Sequence, residues 1–149
     1  MSLAVTLPAP PGPYLDSGLL PGDFYSYQDL LSAPEREVVE RLRDFLRTEV
    51  APIANDYWAR AEFPFQLFEG FAKLELLAWA DPQSLEPKPS NLLQGIIGLE
   101  LAHADPSIAT GFGVHSGLAM GSILACADEE QQRRWLPAMS RWERSGRSG

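Results

Sequence analysis

The chain has 149 residues, 45% of them apolar and 21% charged, and a formal net charge of -8. That length suits one domain around one hydrophobic core, and the composition excludes the disordered and membrane-embedded classes. The acidic balance argues against nucleic-acid partners, which need clustered Lys and Arg to displace counterions from phosphates.

Residues 1–25 hold Pro8, Pro10, Pro11, Pro13 and Pro21 with Gly12, Gly18 and Gly22, so they read as a flexible Pro/Gly-rich arm that no helix spans. Tyr25, Tyr27 and Leu30 are candidates to tack the end of this arm onto a domain covering 26–143. The first helix opens at Ser32, with Pro34 in the first turn and Glu35 completing a capping box. Its apolar stripe is Val38, Val39, Leu42, Phe45, Leu46, Val50, Ile53, Ala54, Tyr57 and Trp58. Pro52 removes one backbone hydrogen bond inside that stripe, which predicts a kink. Phe63-Pro64 closes this helix and starts a second from about Phe65 to Leu77, with Phe68, Phe71, Leu74 and Leu77 inward.

A proline-rich loop from Asp81 to Pro89 leads to Ser90 or Asn91, either of which can cap a third helix. Its stripe is Leu92, Leu93, Ile96, Ile97, Glu100, Leu101 and Ala104. Asp105-Pro106 ends it and opens a fourth helix reaching Ala125. Asp128 to Gln131 is a second capping box, for a fifth helix to about Met139 with Trp135, Leu136 and Met139 inward. No segment keeps a strand period, so the expected fold class is all-α, with about five helices.

No export signal precedes the first basic residue, Arg36, and Cys126 alone makes no intrachain disulfide, so the cytoplasm is the expected compartment. Apolar runs such as Leu92 to Leu101 carry Gln94 and Glu100 and fall short of the roughly 20 residues that cross a bilayer, so no membrane association is expected.

Signatures of catalysis are missing: there is no glycine-rich phosphate loop, no CxxC pair and no His-Glu-x-x-His. His103 and His115 lie on different helices without further ligands at metal spacing, so no metal site is expected. Glu100 is a carboxylate on an apolar stripe; a structural ion pair, or a bond to a neighbouring helix end, outranks a catalytic role. Gly111, Gly113, Gly117 and Gly121, with Ala109, Thr110 and Ser116, admit two readings. Missing side chains let two helices approach, or they leave room for a ligand, and composition alone favours packing.

Several segments in order nevertheless carry a resemblance. Glu49-Val50-Ala51-Pro52, Tyr57-Trp58, Glu62-Phe63-Pro64, Glu100 to Ser107, Val114 to Leu118, Asp128 to Gln132 and Leu136-Pro137 resemble the N-terminal helical domain of the acyl-CoA dehydrogenase family. The earlier ones look like the branch of glutaryl-CoA dehydrogenases and short-chain acyl-CoA oxidases. The resemblance implies an FAD-dependent α,β-dehydrogenation of a short-chain acyl-CoA, with an electron-transfer flavoprotein or oxygen as electron acceptor and a homo-oligomer as the complete enzyme. It places the catalytic base in a C-terminal bundle and the main flavin contacts in a middle β-domain, so no catalytic residue is expected within these 149, and which residues touch the cofactor is unknown, the main flavin segment being absent. The chain then looks truncated and inactive by itself, and 144–149, which no longer resemble the family, are expected to be a frayed end. Carried over by position, the acyl chain would meet Ala109, Thr110, Gly113, Val114 and Leu118. Glutaryl-specific relatives have arginine where Ala109 stands, which points to a neutral acyl group here. The chain also departs from the family where glycines are usual, in the second helix near Glu75 and before the third helix within Leu85 to Pro89.

Overall fold

The computed structural model describes residues 26–143, and the expectations for the arm, for Tyr25 and for the frayed end lie outside the described residues. Among these residues the chain is mainly helical, without a strand, and its helical segments join into five rods. The first rod is α1 (Ala33–Phe45), a π turn (Leu46–Val50) and α2 (Ala51–Ala59). Ser32 caps it through the expected box, its hydroxyl accepting from the Glu35 amide while the Glu35 carboxylate accepts from the Ser32 amide. At Pro52 the chain neither stops nor keeps its pitch. The wide turn just before it absorbs the proline, whose ring cannot donate an amide hydrogen bond.

The second rod, α3 (Leu67–Leu74), is shorter than the periodicity suggests, because Glu75 takes a left-handed backbone conformation, with φ 54° and ψ 25°. A short 3-10 turn, Ala78–Ala80, follows. The third rod, α4 (Asn91–Ala104), is capped by Ser90. Asp105 both ends α4 and caps α5 (Pro106–Gly113), its carboxylate accepting from the Ile108 amide at 2.9 Å. A second π turn, Val114–Met120, leads into α6 (Gly121–Cys126), so that α5, this turn and α6 form one continuous rod of 21 residues, Pro106–Cys126. This rod is long and apolar enough to cross a membrane, although the unbroken apolar runs of the sequence are short. The fifth rod is α7 (Glu129–Ser140), opened by the Asp128–Gln131 box.

One core joins the rods. Leu42, Leu46 and Val50 of the first meet Phe71 of the second, Leu101 of the third, Met120 of the fourth and Leu136 of the fifth, all at or below 1% exposure. Burying such side chains contributes roughly 1.5–3 kcal/mol each. An aromatic layer lies beside them, with Trp142 stacked on Phe71 at 5.3 Å and on His115 at 4.1 Å. At the start of the domain Tyr27 and Leu30 are exposed, and Leu31, 3% exposed, fastens the segment instead. Gln28 helps, its side-chain oxygen accepting from Arg43 at 2.6 Å. Trp58, placed on the stripe by periodicity, is 77% exposed, since it falls at the end of α2 beyond the reach of the other rods.

Candidate functional site

The glycines of the fourth rod divide by what surrounds them. A Cβ on Gly111 would stand 2.8 Å from the Phe63 ring, so this glycine exists for packing. A Cβ on Gly113 or Gly117 would meet nothing within 4 Å. The glycine run thus divides by position: packing accounts for Gly111, and open space stands beside Gly113 and Gly117. In a helix interior each open glycine costs up to about 1 kcal/mol against alanine, and no neighbouring atom requires that cost.

Gly113 and Gly117 line a groove of about 510 Å³. One wall is the fourth rod, through Ala109, Gly113, Ser116, Gly117 and Gly121; the facing wall is α4, through Gln94, Ile97, Gly98 and Leu101. Leu76, Leu77, Trp79, Lys88 and Pro89 close it from the segment between α3 and α4. The spacing of 109, 113, 117 and 121 is the i, i+4 ladder of one helix face, which makes this wall readable from the sequence. The opposite walls come from 76–101, and no local pattern announces them. Of the five residues expected along an acyl chain, the structure brings Ala109 and Gly113 together in the groove. Thr110, Val114 and Leu118 stand outside its lining. The Thr110 hydroxyl donates to the Pro106 carbonyl at 2.8 Å, while Val114 and Leu118 are 49% and 66% exposed on the outer side of the rod.

Few groups in the groove offer chemistry. The Ser116 hydroxyl donates to the Phe112 carbonyl at 2.8 Å, and the Gln94 amide donates to the Pro89 carbonyl at 3.0 Å. No carboxylate and no histidine lines it. Glu100 points the other way, buried against Arg43, whose Nε donates to its Oε1 at 2.6 Å, so it is a structural ion pair. His115 is also buried and outside the groove, its Nε2–H donating to the Met139 carbonyl at 2.9 Å. Burial holds the His115 imidazole below its ordinary pKa, against the opposing effect of that hydrogen bond. Among the described residues no cluster of His, Cys, Asp or Glu has the makings of a metal site.

The groove lining does not fit the pyrophosphate of a flavin dinucleotide, which needs helix-terminal amides or several cations, because it carries a single cation, Lys88.

A second, adjacent cavity of about 460 Å³ lies where the first and third rods begin, lined by Glu35, Val38, Arg41, Glu75, Trp79 and Lys88 among others. The Ser90 hydroxyl, followed by Ser32, holds the Glu35 carboxyl below its usual range.

Comparison with known proteins agrees with this architecture. Residues 32–143 match the family described as acyl-CoA dehydrogenase, N-terminal domain. An acyl-CoA dehydrogenase of Bacillus subtilis (strain 168) is 26% identical over 106 residues, which cover 70% of this chain and 28% of that protein. A glutaryl-CoA dehydrogenase from Mycobacterium smegmatis, solved in complex with FADH2, superposes with a TM-score of 0.69 at 24% identity, over 80% of this chain and 31% of that one. Another structure of glutaryl-CoA dehydrogenase from Mycobacterium smegmatis gives 0.68 at 29% identity, over 78% and 30%. The chain thus spans less than a third of the length of each of these relatives.

Proposed function

Because the chain belongs to the acyl-CoA dehydrogenase family, as its N-terminal helical domain, we propose that it forms one wall of the acyl pocket in a flavin-dependent enzyme. The reaction is removal of a proton from the carbon next to the thioester and of a hydride from the following carbon, giving a 2-enoyl thioester of a short-chain acyl-CoA. The observation that carries this reading is the pair of open glycines: Gly113 and Gly117 line a groove whose space no side chain uses. A short acyl chain is an apolar rod of the kind such a groove accepts.

In this proposal the groove residues bind and orient, and do not perform the chemistry. With no carboxylate on the lining, the base comes from elsewhere in the enzyme, as does the FAD site. Electron-transfer flavoprotein or oxygen as acceptor, a homo-oligomeric whole and a cytoplasmic setting belong to the same proposal. So does the absence of turnover by the 149 residues alone. A second reading, a non-catalytic helical module that pairs with a complete homologue, draws support from the exposed Val114 and Leu118.

The test is titration of the chain with S-butyryl-pantetheine, which carries the thioester without the phosphates of CoA, followed through backbone amide NMR signals. The amides of Gly113 and Gly117 are expected to shift. Gly113→Val, which fills the open space without touching the core, is expected to weaken binding at least about tenfold with its circular dichroism unchanged. Unmoved glycine signals, or binding indifferent to Gly113→Val, would overturn the acyl-groove reading.

A further inference from the structure

Charge is spread unevenly along the chain. Between Pro89 and Ala127 only Glu100 and Asp105 carry a formal charge, against 12 Lys and Arg and 20 Asp and Glu in the whole sequence. Neither is free: Glu100 is buried against Arg43, and the Asp105 carboxylate accepts from the Ile108 amide. The outward sides of α4 and of the fourth rod, whose facing sides wall the groove, therefore present no free charge. Large apolar side chains stand exposed on both: Leu99, 58% exposed, on α4, and Val114 and Leu118 on the fourth rod. Uncovered apolar patches mark interaction surfaces, and the centres of protein interfaces are depleted in charge.

We infer that this face docks a second copy of the same chain in a two-fold symmetric pair. Two observations select that occupant. The first is shape: Val114 and Leu118 form a ridge beside the trough left open by Gly113 and Gly117, so a two-fold rotation lays the ridge of each copy in the trough of the other. The second is charge. Copies of a chain with a net charge of -8 repel each other, and this face is where they approach without like charges meeting. The open glycines let the ridge reach the helix backbone, which adds apolar burial and dispersion contacts that a filled face would not offer. The pair goes beyond the acyl-wall reading and does not rest on it. It concerns this chain with itself, and a thioester and a second copy compete for the same trough.

The experiment is sedimentation velocity on the native chain from about 1 μM to about 1 mM, the range in which weak pairs assemble. Reducing buffer keeps the exposed Cys126 from cross-linking the copies. A concentration-dependent dimer is expected. Leu118→Glu changes a side chain that is 66% exposed and so outside the core. It is expected to weaken the dimer about tenfold or more, because a two-fold interface buries the new carboxylate twice. Trp58→Glu, also at an exposed position but at the end of α2, is expected to leave the dimer unchanged. Added salt should tighten the pair by screening the repulsion between acidic copies. Over a dilution series the backbone amide NMR signals of 113–118 should move, with circular dichroism the same in all three proteins. A native chain that stays monomeric throughout, a dimer indifferent to Leu118→Glu, or one that Trp58→Glu breaks equally well, overturns the proposal. So does a dimer that salt dissociates, since ion pairs between other faces would then hold it together.

Discussion

Glu100 sits on a stripe of isoleucines and leucines, and its side chain has no exposed surface. From the sequence it is visible as an anomaly, a carboxylate three and four residues from Ile97 and Ile96. Its partner is invisible there, because Arg43 lies 57 residues away on α1 and no local spacing connects them. A buried pair need not stabilise the fold relative to apolar replacements, yet removal of one member strands the other, at about 3–5 kcal/mol. Arg43→Met is therefore expected to destabilise the domain by about that much in denaturant unfolding, and Arg43→Met with Glu100→Leu to recover a large part of it. A single variant within about 1 kcal/mol of the native protein would mean that the carboxylate escapes its burial.

Among the elements, capped helix starts were the most legible. Ser32 with Glu35, Asp105 with Pro106 and Asp128 with Gln131 all act as their spacing suggests, since the chemistry of a cap is local. The π turns were not expected. One of them leaves a trace, because His115 and Met120 are consecutive buried positions five residues apart, which a helix of ordinary pitch does not place on one face. The end of α3 was misplaced for a related reason: the apolar period continues to Leu77, while the backbone turns left-handed at Glu75. That conformation costs a non-glycine residue about 1–2 kcal/mol, and helices commonly place glycine there. Glu75→Gly is expected to raise thermal stability by up to about 1 kcal/mol, part of the relief being offset by the extra freedom of glycine in the unfolded chain. A lower melting temperature in the variant would show that the Glu75 side chain contributes more than its backbone costs.

Across the whole molecule, the helical class and one continuous core followed from periodicity, whereas the way two distant rods are fastened together did not. His115, on the π turn of the fourth rod, donates to the last turn of α7 and stacks on Trp142 just beyond it. Burial keeps the folded imidazole pKa below its unfolded value of 6.5. Between those two values the unfolded chain binds more protons, so stability is fully present above about pH 6.5 and declines as pH falls below it. Thermal unfolding midpoints are expected to drop between pH 7.5 and 5.5. His115→Gln, which keeps a donor for Met139 but does not titrate, is expected to flatten that slope, and equal slopes in the two proteins would remove His115 as its origin.

Gly113 and Gly117 have a consequence on an evolutionary timescale. Alanine at either position would improve the helix and collide with nothing, so neutral drift under selection for stability alone should fill them. On the acyl-groove proposal, descendants of this chain released from ligand binding would acquire side chains first at these two positions, while Gly111 and Gly70, pressed against Phe63 and Phe45, would stay as they are. The order in which the four glycines are lost would then date the loss of binding against the loss of the fold.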